Sequence, residues 1–360
     1  EKCYLRDSPT KTRVIQWPNN QNAKIKNPEH YFDIYKDNFF RKSFPIIDKS
    51  TSIGSAGSCF AQRIAHQLQS SGFNYVIVED DLPQDYPIEK LTSSNYRLAP
   101  ARIGTLFNTP SIRQMIERGF GDWEPEYLLA DDNGKLIDPF RTTKSLYKNF
   151  HEFKKDYQNH TSCLKTALLK CDVFIFTLGL TEAWYFAHSG KYTSVSPHKV
   201  NPLLLRQKNL SVEDNLLELE KIYEIYKKNK PNTKFIISVS PIPLNKTFSK
   251  TNHVVSATGL SKAILRVAAN QFSLNHPDDV FYFPSFETVM YGCEDPWEED
   301  KRHVNPKAVE RVMELFSNMF LVNKNDFKFK DLDSQNKMRS TPIIKLKNLL
   351  RPLKRKLFKF

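Results

Sequence analysis

The sequence predicts an α/β fold built on a parallel β-sheet. Short apolar runs alternate along the chain with longer stretches whose apolar residues recur at helical spacing. One of the longest apolar runs extends from Val173 to Leu180, and the unbroken stretch at 172–177 is typical of a strand buried on both faces of a parallel sheet. A second run, Phe235 to Leu244, is like the first too short to cross a bilayer, which requires ~20 residues. Ligands of such folds bind beyond the carboxyl ends of the strands, so polar residues that follow strands are the candidates for a site.

The same two patterns place the individual elements. A first strand reaches Ala56, a turn follows, and apolar spacing over 60–68 predicts a helix. Ser211 and Asn305 are expected as helix N-caps because their side-chain oxygens accept backbone N–H groups. The remaining elements are predicted in chain order as a helix at 111–118, a strand at 172–177, a helix from 211, a strand at 234–239, a helix at 260–275, a strand at 280–283 and a helix from 305.

The chain divides into three predicted regions. Residues 1–48 are polar, aromatic and interrupted by proline, and we interpret them as an N-terminal extension. Residues 49–322 carry the alternating pattern and form the main domain. Within that domain, 79–134 is a possible insertion that serves as a lid or substrate wall, because its pattern is weaker and rich in proline and acidic residues. Residues 323–360 form a basic C-terminal tail.

The net charge and the cysteine content indicate which partners and which compartment to expect for the protein. The net charge of +13 suggests an anionic partner, and much of the excess lies in Lys345–Phe360, where basic and apolar residues alternate. This segment is expected either to contact an anionic membrane surface or to be a solvated tail or a contact for an acidic partner. No nucleic-acid module accompanies the charge, so we predict no nucleic-acid partner. Five dispersed cysteines without a CxxC pair favour a reducing compartment, hence a cytoplasmic protein, with peripheral association at the inner membrane face as an option.

The turn at Gly57-Ser58-Cys59 is the most informative feature of the chain. Small residues allow a sharp turn, and the helix that follows offers unpaired N–H groups at its N-terminus. A cysteine there gains as a nucleophile, since a helix N-terminus lowers the pKa of a thiol. The structural alternative is that Cys59 is a small buried residue and that Ser58 is a hydroxyl cap.

Three further candidate positions follow predicted strands or precede predicted helices. They are Ile103–Thr105, Thr177–Trp184 and Asp300–His303. The spacing of Asp300 and His303 allows the carboxylate to accept the imidazole Nδ1–H, which leaves Nε2 to take a proton from a nucleophile. The other histidines have no ligand-like spacing, so the sequence predicts no metal site.

These motifs, in this order, resemble the GSCFA family, named for the string that appears here as residues 57–61. That family is similar to the SGNH (GDSL-like) esterase and acetyltransferase superfamily. The resemblance spans roughly 52–320 and includes the strings at 177–184, 238–243, 261–266, 283–287 and 300–303. It implies a three-layer α/β sandwich with a parallel sheet and flavodoxin-like topology.

The resemblance also implies roles for individual residues. Cys59 falls on the nucleophile position of the superfamily's Gly-Asp-Ser block, and Ser58 falls on the Asp position. Gly104 is the nearest match to the glycine that helps to hold the oxyanion. The block that reads Gly-x-Asn-Asp in the superfamily departs here, because Thr181 replaces the oxyanion-binding Asn and Glu182 replaces Asp. Asp300 and His303 match directly.

Two functions are therefore expected. The first is an acyl-ester enzyme in which Cys59, or else Ser58, attacks the acyl carbon, with Glu182 and Trp184 as substrate contacts. With water as acceptor it is an esterase that requires no cofactor; with a sugar hydroxyl it is an O-acyltransferase of a surface polysaccharide that uses a donor such as acetyl-CoA. In either case the partner is an O-acylated or acceptor glycan. The alternative is a non-catalytic glycan-binding module, which the replacement at Thr181 favours.

Overall fold

A computed structural model describes residues 38–40, 42–81, 96–121, 125–129, 134–142, 146–195 and 200–330. The strands are β1 (Ile53–Gly57), β2 (Leu128–Leu129), β3 (Leu136–Ile137), β4 (Val173–Leu178), β5 (Glu182–Phe186), β6 (Leu205–Asn209), β7 (Lys234–Val239) and β8 (Val280–Phe283). The helices are α1 (Cys59–Ser70), α2 (Thr109–Phe120), α3 (Phe150–Lys170), α4 (Val212–Asn229), α5 (Val254–Asn275), α6 (Ser285–Tyr291) and α7 (Pro306–Phe320).

Within the described chain, the main sheet has four parallel strands in the order β1-β4-β7-β8. A short segment extends this order on the far edge of β1, where Ile53 donates to Asn74 O and accepts from Val76 N. Counting that segment, the order is that of a flavodoxin-like sheet, as predicted. The direction of strand addition reverses between β1 and β4, which is where such folds form their ligand crevice.

Alternation along the central strands builds the two outer layers. In β4, Phe174 and Phe176 pack into a core shared with α2, α3, α4 and α5, whereas Val173 and Ile175 pack into a core shared with α1 and α7. Successive side chains of a strand point to opposite faces, so a continuous apolar run supplies both cores. The predicted three-layer sandwich is thus confirmed.

Several element bounds differ from the sequence-based expectations. The helix expected at 260–275 begins at Val254, capped by His253 Nδ1, which accepts from Val255 N. Helix α3 was not predicted, because its buried face carries only about one residue per turn, such as Phe153, Tyr157 and Leu164, among many lysines. The short strand pair β5–β6 was also missed, since β6 is almost wholly exposed and polar.

The described part of 79–134 packs into the core. Helix α2 contributes Ile112 and Ile116 to the same apolar cluster as β4, and Ala101 and Ile103 join it. Among the described residues of this stretch, only the segment before α2 reaches the candidate site described below. The description of this stretch as an insertion, and the division of the chain at 48 and 322, stay predictions.

A buried ionic cluster ties α2 and α3 to the loop after β3. Asp138 accepts from Arg118 Nη1 at 2.7 Å and from Arg141 Nε at 2.9 Å, and His160 Nδ1 lies 2.6 Å from Glu79 Oε2. Burial alone would raise the pKa of Asp138, but the two guanidinium groups hold it well below its ordinary value. Removing one partner would leave a buried charge unpaired, which is strongly destabilising. The cluster therefore holds the loop in one position.

The basic tail and most of the predicted N-terminal extension lie outside the described residues. Of the latter, 38–40 and 42–48 are described, and Ile47 forms a bridge with Leu321. Among the described helices, none has the length and apolar character needed to span a membrane.

Candidate active site

The turn between β1 and α1 is held in a conformation that few residues other than glycine adopt. Gly57 has a φ of +137°, and a Cβ added to it would lie 2.2 Å from the carbonyl oxygen of Thr177. Ser58 is the N-cap of α1, and Cys59 is the first residue of the helix. The predicted strand, turn and helix start are therefore present, with the thiol at the helix N-terminus.

Backbone hydrogen bonds join this turn to two neighbouring segments. Ser58 N donates to Thr177 O at 3.0 Å, and Leu106 N donates to Gly57 O at 2.8 Å. Leu180 N in turn donates to Phe107 O at 2.6 Å. The end of β1, the end of β4 and the segment before α2 thus meet at one edge of the sheet, which is the edge predicted to carry the site.

A cleft of about 650 Å³ opens at this edge. Its lining comes from the β1–α1 turn, the segment before α2, the chain after β4, the loop after β7 and the loop before α7. Of the residues that the sequence analysis gives individual roles, five line the cleft: Ser58, Cys59, Glu182, Trp184 and His303. The nucleophile candidates and the histidine, which are about 240 residues apart in sequence, are therefore brought together.

The pKa of the Cys59 thiol is raised, whereas the sequence analysis expects it to be lowered. Burial raises its pKa, and its own backbone N–H and the charges of Lys262, Arg302 and Arg63 offset that rise only in part. The backbone N–H at the helix N-terminus does lower the pKa, as expected, but burial outweighs this effect. A base or a further positive charge is needed for the thiol to react near neutral pH.

Ser58 has a structural role in this geometry. Its side chain is 2% exposed, and its hydroxyl oxygen accepts from Phe60 N at 3.3 Å, which caps α1. A hydroxyl used as a cap acceptor is poorly placed to attack a substrate, although Ser58 does border the cleft. Cys59, which is partly exposed, is the better placed nucleophile.

Asp300 and His303 form the pair that their spacing predicts. His303 Nδ1 lies 2.5 Å from Asp300 Oδ2, while Asp300 Oδ1 accepts the backbone N–H groups of Arg302 and His303. These hydrogen bonds lower the pKa of Asp300 well below its ordinary value. The carboxylate therefore stays ionised and fixes the ring, with Nε2 left for a proton transfer. Within the described chain, no hydrogen bond joins His303 to Cys59.

The two residues expected to hold an oxyanion are not brought to the cleft. Thr181 is 1% exposed, and its hydroxyl donates to Asn209 Oδ1 at 2.6 Å. Gly104, with a φ of +75°, lies one residue before the lining, and the N–H of the next residue, Thr105, donates to Thr142 Oγ1. Neither is placed with Cys59 in the way the superfamily's blocks imply.

Asn108 is a donor that the sequence analysis missed. Its Oδ1 accepts from Ser111 N at 3.0 Å and caps α2, which fixes the orientation of the amide. Its NH₂ group has no hydrogen-bond partner in the described part of the chain, and the residue lines the cleft with Cys59. The signal was an N-cap pattern, Asn108-Thr109-Pro110, which indicates a helix start rather than a site.

Glu182 and Trp184 shape one wall. Glu182 binds the hydroxyl of Thr247 and accepts from Phe248 N at 2.8 Å, so it anchors the loop after β7. The rings of Trp184 and Phe248 meet edge to face at 4.9 Å. Trp184 thus lies in the wall of the cleft, and its contact with substrate stays a prediction, whereas Glu182 contributes mainly by fixing the wall.

Lys262 lies just behind the cleft and was singled out only as part of a sequence string. Its side chain is 3% exposed, and Nζ donates to Gly179 O at 2.6 Å. Burial lowers its pKa from 10.5 to about 7, and the field of Cys59 raises it slightly. A lysine cannot be identified as buried from sequence alone, so this group required the structure.

No group of three or more histidine, cysteine, aspartate or glutamate side chains within the described ranges is arranged to hold a metal ion.

Comparison with known proteins identifies the family. The model of the GSCFA family matches residues 52–316. The chain belongs to the GSCFA family. A search of curated proteins found no match.

Solved structures similar to this GSCFA-family chain include three esterases. An acetyl esterase variant with acetate ion is 12% identical, with 73% of this chain and 92% of that chain covered at a TM-score of 0.35. A carbohydrate esterase family 3 protein from Talaromyces cellulolyticus is 12% identical, with 74% and 94% covered at 0.35. An acetyl xylan esterase from Butyrivibrio proteoclasticus is 11% identical, with 76% and 64% covered at 0.31. Identities and TM-scores this low leave the site of the GSCFA chain to be judged from its own geometry.

Proposed function

We propose that the protein is an acyl-ester enzyme in which Cys59 is the nucleophile, His303 the general base and Asp300 the residue that orients the imidazole. One observation carries the proposal: the thiol at the start of α1 and the imidazole fixed by Asp300 line the same cleft at the carboxyl edge of the sheet. A nucleophile, a base and a residue that orients the base are the parts required for acyl transfer.

The proposed reaction has two halves. Cys59 Sγ attacks the carbonyl carbon of the ester while His303 Nε2 accepts the thiol proton. The C–O bond then breaks, the leaving alcohol takes that proton, and the acyl group remains on sulfur as a thioester. A water or sugar hydroxyl, deprotonated by His303, attacks the thioester and restores the thiol. Water as acceptor makes the protein an esterase that requires no cofactor, and a sugar hydroxyl makes it an O-acyltransferase.

The oxyanion needs hydrogen-bond donors close to Cys59. We assign the backbone N–H of Cys59 and the side-chain NH₂ of Asn108 to this role, since both belong to residues of the cleft lining and Asn108 has no other acceptor among the described residues. One such donor contributes ~3 kcal/mol to the transition state. Thr181 and Gly104, the donors expected from the sequence, have no part in the proposal.

The proposed substrate is an O-acylated or acceptor glycan. The resemblance to the SGNH superfamily suggests it, and the aromatic wall formed by Trp184 and Phe248 offers an apolar face to a sugar ring. The net charge of +13 favours an anionic glycan, handled in the cytoplasm at an inner membrane face. A transferase reaction would use an acyl donor such as acetyl-CoA, in which case the C–S bond of the donor breaks and the CoA thiol leaves with the proton.

Turnover of a small soluble ester by matched variants tests the proposal. Cys59→Ala and His303→Ala should each lose at least about a hundredfold in kcat/KM, in the range of general-base catalysis, with the fold retained by circular dichroism. Ser58→Ala should lose less, since its cap costs ~1 kcal/mol of stability and no chemistry. His253→Ala, which removes an exposed helix cap away from the cleft, is the control. Intact-mass measurement after incubation with acetyl-CoA or ester should show the acyl group only when Cys59 is present.

Two outcomes would change the assignment. Full activity in Cys59→Ala with loss in Ser58→Ala would move the nucleophile to Ser58. No turnover or acylation by the wild type, together with glycan binding that the variants retain, would establish the non-catalytic glycan-binding module instead.

A further inference from the structure

Arg302 is a cation of the cleft that has no counter-ion among the described residues. It lies directly before His303, lines the cleft and is only partly exposed. No ion pair joins it to a carboxylate of the described chain, and its Nε is buried without a hydrogen-bond partner. A guanidinium offers five N–H donors in a planar fork, and each buried donor left unpaired costs ~1–3 kcal/mol. A partner from outside the chain would remove that cost.

The carboxylates near Arg302 are already engaged elsewhere. Glu182, the only acidic residue among the described lining residues, binds Thr247 and Phe248 N. Asp300 accepts from His303 and from two backbone N–H groups. Glu298 pairs with Arg63 at 3.3 Å. None of these groups neutralises Arg302.

The rest of the lining adds positive charge and no further negative charge. Lys246, on the loop after β7, is exposed, borders the same cleft and has no ion pair within the described ranges. Arg302 and Cys59 line the same cleft, and the positive charge of Arg302 acts on the thiol.

We propose that Arg302 forms an anion-binding subsite beside Cys59, and that it takes a carboxylate carried by the substrate near its ester group. A carboxylate matches the planar fork of a guanidinium with two parallel hydrogen bonds. The chemical class of substrate is therefore an acylated acidic glycan, whose ring carboxylate docks on Arg302 while its ester faces Cys59. This inference deepens the proposed function, because it names the substrate class of the same site.

Alkylation of Cys59 tests the subsite without requiring catalysis. Iodoacetate and iodoacetamide react with the same thiolate and differ in the carboxylate, so the ratio of their rates is independent of the thiol pKa. The ratio is measured at Cys59 by peptide mass spectrometry and compared with that of glutathione. The wild type should favour iodoacetate by about tenfold relative to glutathione, as one charge-assisted pair predicts. Arg302→Gln should bring the ratio to that of glutathione.

Lys301→Asn is the matched control. It removes the same charge one position earlier on the same loop, outside the cleft lining, and asparagine tolerates the φ of 55° found there. Its ratio should equal that of the wild type. Equal loss in both variants would overturn the subsite in favour of a general field, and an unchanged ratio in Arg302→Gln would overturn it outright. Failure of Cys59 to react with either reagent would overturn the accessible cleft on which the subsite depends.

A pair of esters supplies a second readout. 4-Acetoxybenzoate carries a carboxylate, and its methyl ester is the neutral match. Arg302→Gln should raise KM for 4-acetoxybenzoate about tenfold and leave KM for the methyl ester unchanged, as loss of a binding contact predicts. An equal rise in KM for both esters would show that Arg302 does not recognise the carboxylate and would overturn the subsite. No turnover of either ester by the wild type would count against the proposed function, while the alkylation ratio would still decide the subsite.

Discussion

Lys262 is a lysine whose burial next to the candidate site lowers the stability of the folded protein. Among the described residues its ammonium form would have a single acceptor, the carbonyl of Gly179, at a position that is 3% exposed. Burial therefore lowers its pKa to about 7. Burying an ammonium group destabilises the fold. The charge of Lys262 also lowers the pKa of Cys59, so we expect the lysine to assist the proposed nucleophile.

Lys262→Met should stabilise the protein and impair the proposed reaction. The folded protein releases the lysine proton near pH 7, whereas the unfolded chain keeps it to about pH 10.5, so the unfolded state binds more protons between these values. The penalty is therefore complete below about pH 7, declines as the pH rises and vanishes above about pH 10.5. Methionine should raise the free energy of unfolding on the order of 3 kcal/mol at neutral pH, after the loss of one hydrogen bond.

Urea unfolding at several pH values measures this effect. The gain should shrink steadily towards pH 10.5 in Lys262→Met. Lys228→Met, at an exposed position of α4, is the control and should show no such trend. A loss of stability that is independent of pH would mean that the contact with Gly179 outweighs the cost of the buried amine.

Among the elements, the β1–α1 unit depends most on a single backbone conformation. The φ of Gly57 and the 2.2 Å approach to Thr177 O leave no room for a Cβ. Any side chain at this position must displace β4 or reverse the turn, and either change would move Cys59 away from His303.

Gly57→Ala should lower the free energy of unfolding by about 2–4 kcal/mol and abolish ester turnover, because strain and a backbone clash act together. Gly72→Ala is the matched control. Its φ is also positive, at +74°, but the nearest atom to an added Cβ is Lys49 Nζ at 3.9 Å, so only the backbone penalty of ~1–2 kcal/mol applies. Thermal unfolding of both variants, with turnover, checks the difference. Equal losses would show that the contact with Thr177 is unimportant.

The features that could be predicted from the sequence are those that leave a regular local pattern. The strands at 234–239 and 280–283 and the caps at Ser211 and Asn305 were predictable, because burial and capping leave local patterns. The pairing of Asp300 with His303 was predictable for the same reason, since the two residues lie three positions apart on one loop. Asn108 and Lys262 were not, because their roles arise from segments far apart in sequence that meet only in the folded chain.

Positive charge is distributed unevenly along the sequence of the whole molecule. Among the described residues many charges lie in ion pairs such as those of Asp138, whereas Lys345–Phe360 lies outside the described residues and outside the family match at 52–316. The tail's contact with an anionic membrane therefore stays a prediction, drawn from its alternating basic and apolar residues.

Removal of Lys345–Phe360 should weaken sedimentation with phosphatidylserine vesicles and leave small-ester turnover unchanged. Each basic residue near an anionic bilayer contributes ~1 kcal/mol, and binding should fall as salt rises because the attraction is screened. Neutral phosphatidylcholine vesicles are the control. Vesicle binding that survives truncation would place the contact elsewhere on the protein.

The main-chain hydrogen bonds around the cleft have a consequence for how this architecture changes over time. Ser58 N, Leu106 N and Leu180 N hold the edge together through peptide groups that every residue except proline supplies. Substitutions at 59 or 108 can therefore alter the reacting atoms while their positions are inherited unchanged. A serine could give way to a cysteine at position 59 without a new fold being required, so chemistry can diverge within such a lineage faster than shape.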